Sequence, residues 1–145
     1  MWLSARPNVT PSCARAWYTH TMSERVKRRV RLFSGKVSKR AIAQRDGPLR
    51  LEHFLRIQTT LTKLVERHRN EQFNDPDDFV KTVIKCEQVH IVALPENYAA
   101  MQAKGDYPKA GITLVTWKQI DPTRRAELWK RMLRGKVANA EAFKP

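Results

Sequence analysis

Residues 89–117, VHIVALPENYAAMQAKGDYPKAGITLVTW, decide the fold class. Val89 to Leu94 form a short, nearly all-apolar, β-branched run, the pattern of a strand buried on both faces. Pro95 then suits the first turn of a helix, which continues to about Lys104 with Tyr98, Met101 and Ala99 inward, and Gly105 closes it. Gly111 introduces a second apolar run, 112–117. A strand, a helix and a strand in sequence predict two parallel strands joined by a crossover. The expected class is therefore α+β or small α/β, mostly helical, with one βαβ unit and a third strand available in Arg29–Phe33.

Working outward, Asp75 and Pro76 are an N-cap and a first helical residue, and Asp77 and Asp78 complement the positive helix end. This predicts a helix over 76–87. Asp121 and Pro122 repeat the signal and start a last helix. Its apolar stripe is Leu128, Trp129, Met132 and Leu133, and Gly135 ends it. Leu51, Phe54, Leu55, Leu61, Leu64 and Val65 recur at helical spacing and predict a long helix over 49–70. Ser38 reads as the cap of a short helix over 39–46, ended by Gly47 and Pro48. The expected core contains Phe54, Leu61, Val83, Ile91, Val92, Leu114, Val115 and Trp129.

The length of 145 residues suits one domain. The expected organisation is a tail over 1–21, a basic arm with a short helix over 22–48, a globular body over 49–135 and a C-terminal tail over 136–145. Residues 1–21 carry Arg6 and Arg15 and no acid, as a transit segment or an over-extended start before Met22 would. The basic N-terminal region is expected to be disordered. No apolar run is long enough to span a bilayer, so the reading is a soluble protein with no membrane partner. Its expected place is the cytoplasm, or the mitochondrial matrix if 1–21 are a presequence. Cys13 and Cys86 read as free thiols.

Charge carries the functional reading. The chain has 28 Lys and Arg against 14 Asp and Glu, a net charge of +14. Residues 1–50 hold 12 of the basic residues and two acids, so the front of the chain is far more basic than its body. Such an excess favours a polyanion, because each cation placed at a phosphate releases a condensed counterion. The candidate nucleic-acid contacts are Arg25, Lys27, Arg28, Arg29, Arg31, Lys36, Lys39 and Arg40 in the arm. Arg124, Arg125 and Arg131 on the last helix form a second basic face. The short helix before 49–70 also has the outline of a helix-turn-helix, with Arg50, His53, Gln58 and Thr59 near base edges.

No hydrolase elbow, zincin, P-loop or dinucleotide fingerprint is present. Asp75, Asp77 and Asp78 are explained as caps. Cys86 and His90, with His53 and His68 elsewhere, lack the paired spacing of a zinc site. No metal or cofactor is expected. A small pocket at the carboxyl ends of the two strands would have Glu96, Asn97, Tyr98 and Lys118 on its rim. The function expected is non-enzymatic binding of DNA or RNA through phosphate contacts, within a ribonucleoprotein or mobile-element system. The alternatives are a nucleic-acid-processing enzyme and a structural subunit of an organellar or ribosomal complex.

Overall fold

A computed structural model describes residues 8–14, 16, 24–71 and 75–145. The chain runs α1 (Glu24–Val30), β1 (Leu32–Ser38), α2 (Lys39–Ala43), β2 (Leu49–His53), α3 (Ile57–Asn70) and α4 (Pro76–Cys86). There follow β3 (Gln88–Ala93), α5 (Leu94–Gln102), β4 (Leu114–Thr116) and α6 (Pro122–Leu128). The last helix continues as a π-helical turn, Trp129–Leu133, and a 3-10 turn spans Ala140–Phe143. The class is α+β, with a four-stranded mixed sheet ordered β2-β3-β1-β4.

The local start signals work as the sequence predicts. Ser38 accepts from Ala41 N–H, Asp75 from Asp77 N–H, and Asp121 from Thr123 and Arg124 N–H. β3 is buried along nearly its whole length, as its apolar run requires.

The topology differs from the expected βαβ unit. β3 pairs in parallel with β1, while β4 pairs antiparallel with the opposite edge of β1. β3 and β4 are therefore not neighbours and run in opposite directions. The parallel partner comes from the basic arm, so the arm from Leu32 onward is the centre of the sheet rather than a disordered extension.

Residues 49–53 correct the long helix. Leu49, Leu51 and His53 alternate with Arg50 and Glu52, and the segment pairs antiparallel with β3. Helix α3 starts only at Ile57, and a strand stands where the helix-turn-helix needed its second helix.

One face of the sheet carries the main core. Phe33, Val37, Leu49, Val89 and Ile91 pack against Trp117, Leu128, Met132, Leu133 and Val137. Phe33 meets Trp117 and Phe143 edge-on, with centroids 5.4 and 4.7 Å apart. Gly35 lies at a break in the β1–β3 register with φ +78°, a conformation that favours glycine. A second cluster, Leu61, Leu64 and Val83, joins α3 to α4. There Arg67 and His68 bond to Asp78, His68 Nε2 at 2.8 Å. These two bonds hold the Asp78 carboxyl below its usual pKa, His68 acting most.

Leu61, Val83, Ile91, Val92 and Trp129 are buried as expected, and Leu114 and Val115 are half-buried. Phe54, Tyr98 and Met101 are not: each is about half exposed, at 48%, 55% and 50%. Phe54 follows a strand instead of lying inside a helix, so the helical period gave it the wrong side.

The last ten residues are packed, not a tail. Trp129 Nε1 donates to Ala140 O at 2.9 Å, and Trp117 Nε1 to Phe143 O at 3.1 Å. Asn139 accepts from Phe33 N–H at 2.8 Å and donates to Phe33 O at 2.9 Å. At the other terminus, Arg69 donates to Val9 O. Trp2 and Trp17 lie outside the described residues.

Two outcomes follow from this packing. Deleting residues 136–145 should abolish a cooperative melt or lower its midpoint sharply, as followed by circular dichroism. Asn139→Ala leaves both peptide groups of Phe33 unpaired and should cost about 1–3 kcal/mol in urea unfolding. An unchanged midpoint in both variants would mean that the terminus is dispensable.

Candidate nucleic-acid interface

The cations of the arm divide into two groups. On α1, Arg25, Arg28 and Arg29 are exposed, and their i, i+3, i+4 spacing puts them on one face. Lys36, Lys39 and Arg40 are also exposed. Lys39 and Arg40 border a cleft of about 250 Å³ with Gly111 and Thr113. Lys27 and Arg31 are half-buried. Arg31 Nε lies 3.4 Å from Glu87 Oε2, and His53 Nε2 lies 3.3 Å from the same oxygen. Glu87 is fully buried, so Arg31 compensates an interior carboxylate that would be costly alone.

The second basic face divides in the same way. Arg124 is buried. Its Nε donates to Ile42 O at 3.0 Å, and its Nη2 to Ala41 O and Gln44 O at 2.9 and 2.6 Å. Its Nη1 meets Glu127 at 2.6 Å. The guanidinium thus satisfies carbonyls at the end of α2. Arg125 is half-buried, and its buried Nε has no hydrogen-bond partner among the described residues. Arg131 is exposed and donates to Arg45 O at 2.8 Å and to Gly47 O. It pins the loop between α2 and β2 against the last helix.

That loop builds a cleft of about 400 Å³ at the β2 edge of the sheet, where Arg50, Arg131 and Lys136 stand around Pro48, Leu51 and Met132. Lys136 Nζ donates to Arg131 O at 2.8 Å. Among the described residues no carboxylate lines this cleft. Lys136 was absent from the sequence-based contacts, and Arg50 was expected there only as a base-edge residue of a recognition helix. Arg50 alternates with Leu49 and Leu51, a strand signal hidden by the helical period, and Lys136 fell in the supposed tail.

The other sheet face carries a polar cluster. His90 is buried, and its Nδ1 pairs with Ser34 Oγ. Glu52 is its cross-strand partner on β2. Its ring contacts Phe54 and Tyr107, with centroids 5.6 and 5.5 Å away. Burial, and secondarily the Lys36 charge, pushes the His90 pKa down to about 4. Burial also raises the pKa values of Glu52 and of the Tyr107 hydroxyl, which has no hydrogen-bond partner among the described residues. His90 is therefore neutral near pH 7 and adds no cation to the surface.

The expected pocket at the strand ends does not assemble. Glu96 is buried, accepting from Ser38 Oγ at 2.5 Å and from Ala93 N–H at 2.9 Å. Lys118 follows β4, whose antiparallel course carries it to the opposite end of the sheet from Glu96. Asp75 is an N-cap and Asp78 an interhelical tie, so these acids have structural partners. Cys86 is buried, and burial raises its thiol pKa. Among the described residues no three His, Cys, Asp or Glu side chains converge as metal ligands. Among them, too, no helix is long and apolar enough to cross a membrane.

No protein-family model matches the chain, and neither does any curated protein or solved structure.

Arg124→Ala should leave three carbonyls without a donor and cost at least about 2–3 kcal/mol, read from urea unfolding. Recovery of parental stability by Arg124→Lys would count against a role for the forked guanidinium geometry. The His90 prediction concerns pH. In the unfolded chain His90 takes up a proton near pH 6.5, whereas in the native state it resists until about pH 4. The unfolded state binds the extra proton in between, so stability present above pH 6.5 is lost as pH falls toward 4, by about 3 kcal/mol. His90→Gln should flatten that stretch of the stability curve relative to the parent. Parallel curves for the two proteins would sink this assignment.

Proposed function

We propose that this protein binds nucleic acid without catalysis, through phosphate contacts made by its exposed basic surface. The observation that carries the reading is the cleft of Arg50, Arg131 and Lys136, which no carboxylate among the described residues lines. The exposed Arg25, Arg28 and Arg29 face of α1, with Lys36, Lys39 and Arg40, adds further cations of the same kind. Arg31 and Arg124 leave the contact set, because their guanidinium groups are engaged inside the protein.

Phosphate contacts position a duplex or a strand but do not read its sequence. Little sequence preference is therefore expected, together with a steep fall of affinity with salt. The test is fluorescence anisotropy on DNA and RNA of mixed sequence at several salt concentrations. Arg25, Arg28 and Arg29 changed together to Gln should weaken binding on all sequences alike and reduce the log–log salt slope by about two to three. Arg50→Gln with Lys136→Gln should reduce it by about one to two more. A parent protein with no salt-sensitive binding would refute the proposal, and a variant slope equal to the parent's would remove those residues from the interface.

A further inference from the structure

We infer that the cleft beside Phe54 holds one unpaired nucleotide of a single strand, with the base stacked on the Phe54 ring and the adjoining phosphate at Lys104 and Arg56. This inference rests on the nucleic-acid reading above, but it concerns a different site and a different chemistry.

Phe54 is the first residue after β2. Its N–H donates to Gln88 O at 3.0 Å, which fixes its backbone to the sheet. Its ring meets the buried His90 imidazole at 63°. The aromatic group is thus anchored on one side, yet 48% of the residue remains exposed. Leaving an anchored aromatic half in water forgoes the gain of burial, and a planar partner would restore it.

The space in front of this residue has room for such a partner. The cleft is about 520 Å³, within the usual range of about 300–1,000 Å³ for small-ligand sites. Its walls include Arg56, Gln58, Thr59, Lys104 and Gly105, and among the described residues no acid. Gln58 and Thr59 offer the donors and acceptors that a base edge uses. Arg56 Nη1 donates to Met101 O at 2.6 Å, which holds the guanidinium in place with other N–H groups still to give. Lys104 adopts φ +56°, a left-handed conformation that a non-glycine residue rarely takes, and Gly105 follows at φ +87°. This turn closes the end of α5, where Gly105 N–H donates to Ala100 O at 2.8 Å, and it leaves Lys104 on the lip of the cleft.

The surroundings fit an anion. Lys36 adds a further positive charge near His90, whose pKa it helps to lower. Asp106 follows Gly105 directly, and its Oδ1 accepts from Lys109 N–H; Glu52 lies two residues before Phe54. It sits within the field of Arg56 and His53 and is not part of the lining. A base in a duplex hides its faces in the stack, so only an unpaired nucleotide can use this ring.

The experiment compares the full chain and its Phe54 variants on fluorescein-labelled dT12 and on a 12-base-pair duplex, by anisotropy at low salt. Phe54→Ala should weaken dT12 binding by about tenfold and leave duplex binding unchanged. Phe54→Trp should restore the affinity, and its added tryptophan fluorescence should be quenched by dT12. Lys104→Gln should weaken dT12 more than duplex. Circular dichroism melts confirm that each variant is folded, and Phe54→Leu, which keeps bulk but not the ring face, substitutes if Phe54→Ala is not.

Equal dT12 affinity for parent, Phe54→Ala and Phe54→Leu overturns the inference. If the Arg50→Gln, Lys136→Gln variant then still loses affinity, the basic-surface function stands alone. Equal losses on dT12 and duplex also overturn it, because they would show that Phe54 acts through the fold. If the parent binds neither probe, both readings fall.

Discussion

The carboxamide of Asn139 bonds both the N–H and the C=O of Phe33, and the sheet depends on this contact. Leu32 N–H donates to Glu87 O on the β3 side, so the peptide groups of Phe33 point to the opposite edge of β1. β4 pairs only with residues 36–38 and does not reach that height. Ala138 N–H donates to Arg31 O at 2.8 Å, and Asn139 takes Phe33. The C-terminal segment thus does for the first half of β1 what β4 does for the second. Without it, a buried strand would expose unpaired backbone groups, each costly away from water. The same closure seats Val137, Ala140 and Phe143 over Phe33 and completes the core.

This arrangement explains how so basic a segment can sit at the centre of a fold. β1 contributes Phe33 and Val37 to the core and turns Lys36 outward. Where a cation does enter the interior, it meets a designated partner: Arg31 meets Glu87, and Arg124 meets the carbonyls at the end of α2. Those two residues are structural because a buried guanidinium must spend its donors locally. The exposed cations stay in contact with water, although Arg131 and Lys136 also donate to backbone carbonyls. They gather on α1, beside α2 and around the β2 edge, where a polyanion can reach them.

The two faces of the sheet have different characters. One is closed by the apolar C-terminal layer. The other holds Ser34, Glu52, His90 and Tyr107, a polar cluster whose burial keeps His90 neutral. Phe54 borders this cluster with half its surface in water, and the Arg56 and Lys104 cleft opens beside it. A rigid, neutral support behind an exposed ring suits a surface for stacking, while a charged imidazole there would add repulsion to Lys36.

Sequence by itself determined the elements that local rules control. Asp75-Pro76, Asp121-Pro122 and Ser38 cap helices because their side chains reach N–H groups two or three residues away, whatever the rest of the chain does. The run from Val89 to Ala93 was legible as a buried strand because its composition allows little else. The basic excess was equally plain. Tertiary structure decided the rest. Leu49–His53 became a strand because β3 offered an edge, although its apolar residues also fit the helical period that follows. β1 rather than β4 became the parallel partner of β3, since pairing joins segments far apart in sequence and periodicity says nothing of partners. Residues 136–145 became core for the same reason. Which arginines remain free for a partner, and that Phe54 stands open beside a cleft, follow from contacts across 34 to 106 positions of chain. No local pattern encodes such contacts.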